Sequence, residues 1–185
     1  MSKFIHPKPI DKEIILDKTK IIMSKTDAKG IIEYANQYFI DICGYDEWEL
    51  MAEPHSIIRH PDMPRIVFKL LWERLHKGEN IHALVKNLAK DGSYYWVITN
   101  FETIYNDKGK IIEHFSRRKA PPRYAINTII PIYKILVDIE NKEGMDASRK
   151  FLYDFLESKK VTYDDFILQT LNVSQERLNI YFKGE

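Results

Sequence analysis

The chain has 185 residues, of which 44% are hydrophobic and 12% aromatic, enough for one domain with a substantial core and additional helices. It carries 28 basic against 27 acidic residues, a formal net charge of +1, which gives no support to nucleic-acid binding because that needs a basic face. The single cysteine, Cys43, excludes an internal disulfide and suits a reducing compartment. Its apolar surroundings favour a small buried residue over a reactive thiol.

No segment is predicted to cross a membrane. The longest apolar candidate, residues 124–137, contains Pro131 and Lys134 and is shorter than the roughly 20 residues that a spanning helix needs. The first nine residues lack the uninterrupted apolar core of a signal peptide. We therefore expect a cytoplasmic protein that reaches any membrane receptor by docking, without inserting into the bilayer.

The N-terminal residues 1–19 are predicted to form an arm that ends in a short helix. Ile14, Ile15 and Lys18 recur at helical spacing within residues 11–18.

Three turn signals then organise the middle of the chain. They are Asp27-Ala28-Lys29-Gly30, Asp91-Gly92 and Asn106-Asp107-Lys108-Gly109. Asp, Asn and Gly accept the backbone dihedrals of hairpin turns, and β-branched and aromatic residues flank each signal. Three hairpins predict an antiparallel sheet of about five strands.

The segment between the first and second hairpins has helical patterning. Asn36 is predicted to cap a helix that ends at Gly44, and Asp46 to cap a single turn after it. A longer helix follows Pro64 and ends near Gly78. Its apolar positions recur at helical spacing: Ile66, Val67, Leu70, Leu71 and Leu75.

Residues 121–185 are predicted to be a helical extension. An amphipathic helix over residues 126–141 contains Pro131, which predicts a kink or break. Further helices are predicted over residues 146–158, from Thr162 and after a cap at Ser174. The tail has no histidine-kinase box and no diguanylate-cyclase motif, so we expect the signalling output to reside in another protein.

The most specific motif is His55-Ser56-Ile57-Ile58-Arg59-His60-Pro61-Asp62-Met63-Pro64. Prolines break helices, so these polar side chains are expected on a shaped loop. Trp72 follows on the long helix, and residues 85–97 read as a strand, a tight turn and an aromatic strand. Together with Asn36 and Gly44-Tyr45, this pattern resembles the PAS domains of bacterial aerotaxis receptors, which hold FAD non-covalently and sense its redox state.

The resemblance implies an α+β PAS fold with short helices on one face of the sheet and a cavity between them. It divides the chain into an N-terminal arm or helix (residues 1–19), a PAS sensor domain (residues 20–120) and a helical C-terminal extension (residues 121–185).

The resemblance also implies side chains that contact FAD. Arg59 offers a planar fork of donors for phosphate oxygens or flavin carbonyls, and a salt bridge with Asp62 is its alternative role. His60 and Asp62 would order Arg59 or contact the cofactor, or would simply fix the shape of the loop. Trp72 would stack on the isoalloxazine or adenine ring, although an aromatic residue on an apolar helix face is often part of the core.

Asn36 and Asn87 offer amides that both donate and accept hydrogen bonds, as the pyrimidine edge of a flavin requires. Helix capping is the competing role of Asn36. Strand alternation directs Asn87, rather than Lys86, towards the cavity, and it directs either Tyr95 or Trp96 the same way. We place Tyr95 among the candidates.

The sequence departs from the aerotaxis pattern at two points. Where those sensors usually read Trp-x-Gly, this chain has Ile81-His82-Ala83, and the usual basic residue after Asn87 is Leu88. The missing aromatic and the added methyl group are expected to reshape or shrink the cavity.

The function that the resemblance implies is a cytoplasmic redox or energy sensor that binds FAD and signals to a separate membrane-bound chemoreceptor or another signalling protein. A homodimer formed through the PAS sheet or the terminal helices is a further possible assembly. The first alternative function is a ligand-free PAS module that serves as an interaction adaptor or dimerisation unit. A haem-based gas sensor is the second. The chain lacks a Gly-x-Ser-x-Gly elbow, a phosphate-binding Gly-rich loop, a His-Glu-x-x-His helix and clustered metal ligands. We therefore expect neither an enzyme nor a metal site.

Overall fold

A computed structural model describes residues 6–183, and its centre is a five-stranded antiparallel sheet with the strand order β2-β1-β5-β4-β3. The strands are β1 (Ile22–Asp27), β2 (Ile32–Ala35), β3 (Leu84–Leu88), β4 (Tyr94–Tyr105) and β5 (Ile111–Lys119). The predicted turn signals connect β1 to β2, β3 to β4 and β4 to β5. Gly30, Gly92 and Gly109 have φ angles of 87°, 88° and 71°, which glycine adopts without strain. The predicted sheet is therefore confirmed.

Short helices and one longer helix lie between β2 and β3. They are α1 (Gln37–Cys43), α2 (Glu47–Leu50), a 3₁₀ turn (His55–Ile58) and α3 (Arg65–Leu75). Asn36 caps α1 and Asp46 begins α2 with a capping box, as predicted. Gly44 ends α1 in the left-handed conformation. Cys43 is buried, and burial raises the pKa of its thiol to about 11, so it behaves as a packed apolar residue.

The C-terminal part of the described chain is helical, as predicted. Its helices are α4 (Arg123–Lys142), α5 (Met145–Lys159), α6 (Tyr163–Leu171) and α7 (Gln175–Lys183). Of the kink or break expected at Pro131, the break is absent, because α4 continues through the proline. Ile129 and Tyr133 are almost fully buried on either side of the proline, so packing compensates for the missing backbone donor.

The helix predicted over residues 11–18 is wrong. This segment is extended and forms an isolated parallel bridge between Glu13 and Tyr94. The amide of Ile10 donates to the oxygen of Gly92 at 2.9 Å, and the amide of Ile14 donates to the oxygen of Tyr94 at 2.7 Å. Pairing with the start of β4 satisfies the backbone groups that a helix would have used. Residues 1–5 of the predicted arm and residues 184–185 of the extension lie outside the described residues.

The two faces of the sheet have different neighbours. One face looks towards α3 and the 3₁₀ turn, and the C-terminal helices cover the other. On the covered face the rings of Trp96 and Tyr133 stack at 6.4 Å, and the Tyr133 hydroxyl donates to the oxygen of Leu84 at 2.7 Å. His82 and Phe182 stack there at 5.9 Å. No helix among residues 6–183 has the length and apolar character needed to cross a bilayer.

A buried carboxylate ties the C-terminal helices to α3. Glu140, near the end of α4, accepts hydrogen bonds from the backbone amides of Arg65 and Ile66, both at 2.8 Å. The Arg65 side chain also donates to Glu140, with its Nε 3.3 Å from Oε2. These amides are the first of α3, where a helix presents unsatisfied donors and a negative charge is favourable. The start of α3 therefore depends on α4.

Candidate functional site

A hollow of about 210 Å³ lies between α3, the 3₁₀ turn and the open face of the sheet. Its apolar wall includes Ile58, Phe68, Leu71, Trp72, Leu75 and Val85. Its polar wall includes Thr26, Asn87, Thr99, His114, Ser116 and Arg118, which come from four of the strands. Lys29 and Ser56 are exposed and mark where the hollow meets solvent. Binding sites for drug-sized molecules usually measure about 300–1,000 Å³, so the enclosed space suits a ring system rather than a whole dinucleotide.

Arg59 lies in the wall of the hollow, as the aerotaxis resemblance implies. Its guanidinium carbon is 4.2 Å from the centre of the Phe68 ring, and its Nε is buried without a hydrogen-bond partner among the described residues. Burial lowers the pKa of Arg59. The alternative salt bridge with Asp62 is not formed, because Asp62 pairs with Lys86 at 2.7 Å. Arg59 therefore has donor capacity left for a ligand.

His60 and Asp62 lie outside the wall of the hollow, although they share a loop with Arg59. His60 is 2% exposed. Its ring meets Tyr94 edge-on at 5.9 Å and accepts a hydrogen bond at Nδ1 from the Asp62 amide at 3.1 Å. The Asp62 side chain is 65% exposed. The loop reaches the edge of β3 through a bridge between Arg59 and Asn87, and beyond that bridge its side chains leave the hollow. This geometry favours the role of fixing the loop.

The buried His60 predicts a specific pH dependence of stability. Burial, and then the charge of Lys86, lower the pKa of His60 to about 4, against about 6.5 in an unfolded chain. The unfolded chain therefore binds the proton more readily, and stability is lost as the pH falls from about 6.5 towards 4. When the pH is lowered from 7 to 5, the free energy of unfolding should decrease less in His60→Gln than in the unmodified chain. Urea denaturation at both pH values measures the two decreases. Equal losses in the two proteins would contradict this assignment.

Trp72 lines the hollow from α3 and is half-buried. Its indole lies against Gly30, where an added Cβ would be 2.7 Å from the ring atoms Cζ2 and Cη2. The ring meets His114 edge-on at 5.9 Å. Glycine at position 30 thus leaves the space that the indole occupies, and the turn between β1 and β2 holds the ring at the opening of the hollow.

Of the two candidate asparagines, only Asn87 lines the hollow. Asn36 accepts hydrogen bonds from the amides of Met23 at 2.9 Å and Phe39 at 3.1 Å, and it donates to the oxygen of Ile21 at 2.9 Å. Its amide is therefore engaged in capping α1 and joining it to β1. Asn87 is buried on β3, as strand alternation predicted.

Tyr95 and Trp96 point to opposite faces of the sheet, as predicted. Trp96 packs on Tyr133 of α4. Tyr95 is fully buried on the other face but is not part of the wall of the hollow. Burial raises the pKa of Tyr95 well above its ordinary value, so its phenol is neutral.

The departure at Ile81-His82-Ala83 does not fill the hollow. All three residues are buried, but none belongs to the wall. His82 stacks on Phe182, and the amide of Ala83 donates to the Thr99 Oγ1 at 3.2 Å. The added methyl group of Ala83 therefore takes no space from the hollow. The effect of the missing aromatic on the size of the hollow stays a prediction.

A buried polar network in the same wall was missed by sequence reasoning. Arg118 donates from Nη1 to Ser24 Oγ at 3.0 Å, and its Nη2 lies 2.9 Å from His55 Nε2. Ser24 Oγ also lies 3.0 Å from Ser116 Oγ. Polar residues at every second position of β5 (His114, Ser116 and Arg118) were a signal that this face of the strand is not simple core.

The chemistry of the wall fits a flavin. It combines an indole, an amide that donates and accepts, and guanidinium donors from Arg59 and Arg118. Two of its buried polar atoms, Arg59 Nε and His114 Nε2, have no hydrogen-bond partner within residues 6–183. Buried polar groups are normally satisfied, so the wall offers hydrogen bonds that a bound ring could complete.

The five-stranded sheet, the helices inserted after β2 and the hollow between them define a PAS domain. Residues 32–114 match the family model described as the PAS fold. Residues 32–114 are therefore a PAS domain.

Among curated proteins, the chain is 37% identical over 131 residues to the aerotaxis receptor of Escherichia coli (strain K12), which covers 71% of this chain and 26% of the receptor. It is 26% identical over 101 residues to the nitrogen fixation regulatory protein of Klebsiella pneumoniae, covering 55% of this chain and 20% of that protein. The chain thus spans about a quarter or less of the length of these relatives.

Two solved structures support the fold. The dark structure of the blue-light photoreceptor Aureochrome1 LOV has a TM-score of 0.50 and 22% identity, covering 66% of this chain and 86% of that one. A light-oxygen-voltage domain studied with a flavin analogue has a TM-score of 0.52 and 21% identity, covering 59% of this chain and 82% of that one. At these identities the likeness establishes the fold alone.

Proposed function

We propose that this protein is a cytoplasmic redox sensor that binds FAD non-covalently in the hollow and signals to a separate chemotaxis receptor or another signal-transduction protein. It would act without catalysing a reaction. The main support is that Trp72 and Asn87 line one cavity in a chain that is 37% identical to an aerotaxis receptor over 131 residues.

In this proposal, different residues of the wall contact different parts of FAD. Trp72 offers an aromatic face for the isoalloxazine ring, and Asn87 offers both a donor and an acceptor for the edge of that ring. Arg59 contributes guanidinium donors from the loop. Lys29, exposed at the opening, is placed to meet the phosphates that the enclosed space leaves outside.

The signal is proposed to start at Asn87. FAD supplies an electron store whose ring edge changes its hydrogen bonding and charge on reduction. Asn87 can reverse its donor and acceptor roles in response, and its backbone bridges that of Arg59. The loop that follows Arg59 leads directly into α3, whose first amides bind Glu140 of α4. A change at Asn87 therefore has a continuous covalent and hydrogen-bonded route to the C-terminal helices, where it can shift a balance between two packings.

The experiment is an absorption spectrum of the purified protein, before and after incubation with FAD and desalting. We expect the two flavin bands, and free FAD in the supernatant after denaturation because no covalent bond is involved. A preparation that stays colourless after incubation would contradict the proposal and favour the ligand-free adaptor, which the modest cavity of about 210 Å³ also suits. An intense Soret band would favour haem, for which the unbonded Nε2 of His114 is a candidate ligand.

A further inference from the structure

Arg118 is a buried cation without an ionic partner. It is 5% exposed, and its hydrogen-bond partners, Ser24 and His55, carry no negative charge. Within residues 6–183, no carboxylate forms an ion pair with it. Buried charges in proteins are ordinarily paired, because desolvating a lone charge is costly. The charge of Arg118 therefore needs an explanation.

The surroundings hold the guanidinium at the wall of the hollow. Burial, and then the charge of Arg118, lower the pKa of His55, so its ring is neutral and its Nε2 accepts from Arg118. Phe39 stacks on the His55 ring at 5.7 Å, and its centre is 5.8 Å from the Arg118 guanidinium carbon. Burial lowers the pKa of Arg118 only to about 10, so the group stays charged at neutral pH.

The rest of the wall does not neutralise this charge. Its ionised side chains are Lys29, Arg59 and Arg118, and none of the residues that line it is Asp or Glu. A cavity with cationic groups and low-dielectric walls favours negative charge inside it. We therefore expect the bound ligand to carry the negative charge that balances Arg118.

We propose that Arg118 provides the counter-charge for the negative charge that bound flavin gains on reduction, so that the protein binds reduced FAD more tightly than oxidised FAD. This inference rests on the proposed function. Uptake of two electrons and one proton from a reductant leaves one additional negative charge on the ring, and positive charge near the ring tunes its electronics. An ionic hydrogen bond in a dry site is stronger than a neutral one. We expect a preference of about 10- to 100-fold, which for a two-electron couple raises the midpoint potential by roughly 30–60 mV.

The test is the midpoint potential of the FAD-loaded full chain, measured against reference dyes during reductive titration. Arg118→Gln should lower the potential by roughly 30–60 mV, because the affinity for reduced FAD falls more than the affinity for oxidised FAD. The matched control is Arg117→Gln, one residue earlier on β5. Arg117 pairs with Glu102 at 3.0 Å and does not line the hollow, so this variant should leave the potential unchanged.

A second variant tests the same charge without removing the arginine. Ser116 Oγ and Arg118 Nη1 both lie 3.0 Å from Ser24 Oγ. Ser116→Asp therefore places a carboxylate beside the guanidinium and supplies the missing counter-ion. We expect it to lower the potential in the same direction as Arg118→Gln and to raise the stability of the ligand-free protein.

The outcomes separate the two proposals. An unchanged potential in folded, flavin-loaded Arg118→Gln overturns the role of Arg118, and so does an equal shift in Arg117→Gln. If Arg118→Gln does not fold, an unchanged potential in Ser116→Asp overturns it instead. Failure of the unmodified chain to bind FAD refutes the proposed function itself, before any variant is made.

Discussion

Trp72→Ala is expected to weaken FAD binding by about 30- to 100-fold, measured by fluorescence titration of FAD with the ligand-free protein. Stacking on an aromatic side chain contributes about 1–3 kcal/mol per ring, and each 1.4 kcal/mol is about a tenfold change in affinity. The indole also closes the hollow against Gly30. Its loss should therefore remove both a stacking partner and part of the wall.

Trp48→Ala is the matched control. Trp48 is 76% exposed on α2 and does not line the hollow, so its removal should leave the affinity unchanged. Trp72→Phe, which keeps an aromatic face, should recover part of the lost affinity. If folded Trp72→Ala binds FAD as tightly as the unmodified chain, the ring is bound elsewhere and the hollow is not the flavin site.

Glu140→Ala is expected to lower the free energy of unfolding by about 3 kcal/mol, measured by urea denaturation followed by circular dichroism. Glu140 is 5% exposed and accepts from the amides of Arg65 and Ile66, as well as from the Arg65 side chain. Removing the carboxylate leaves the first amides of α3 without their partner in a site that water reaches poorly.

Glu143→Ala provides the comparison for this loss. Glu143 follows α4 and is exposed, so its substitution should change the free energy of unfolding by no more than about 0.5 kcal/mol. Glu140→Gln, which keeps the shape and one accepting oxygen, should fall between the two alanine variants. Equal effects of Glu140→Ala and Glu143→Ala would show that the buried carboxylate does not hold α3 to α4.

The parts of the fold that local chemistry determines were predictable from the sequence. Turns at Gly30, Gly92 and Gly109 need only neighbouring residues, and so does the cap that Asn36 gives to α1. Two expectations failed where distant residues compete, namely the helix over residues 11–18 and a break, as distinct from a kink, at Pro131. Residues 11–18 have helical spacing but pair with β4, and α4 continues through Pro131 because buried neighbours hold it.

The site was predictable to a similar extent. Strand and helix periodicity were enough to direct Asn87 and Trp72 towards one space. His60 and Asp62 share a loop with Arg59, but the path of that loop along the β3 edge turns them away, and this path is a tertiary property. The Arg118 network joins residues 24, 55, 116 and 118, which β1, the 3₁₀ turn and β5 bring together. The alternation along β5 signals a polar face, but the partners of that face come from distant parts of the sequence.

The helices packed on Trp96 and Leu84 have a consequence for how other proteins meet this one. Many proteins bind partners directly through an exposed sheet, but here a partner that approaches this face would contact the C-terminal helices first. A homodimer formed through this face of the sheet would require α4 to be displaced, which would expose the indole of Trp96 to solvent. We therefore expect a conformational change inside the domain to reach a partner protein as a movement of these C-terminal helices.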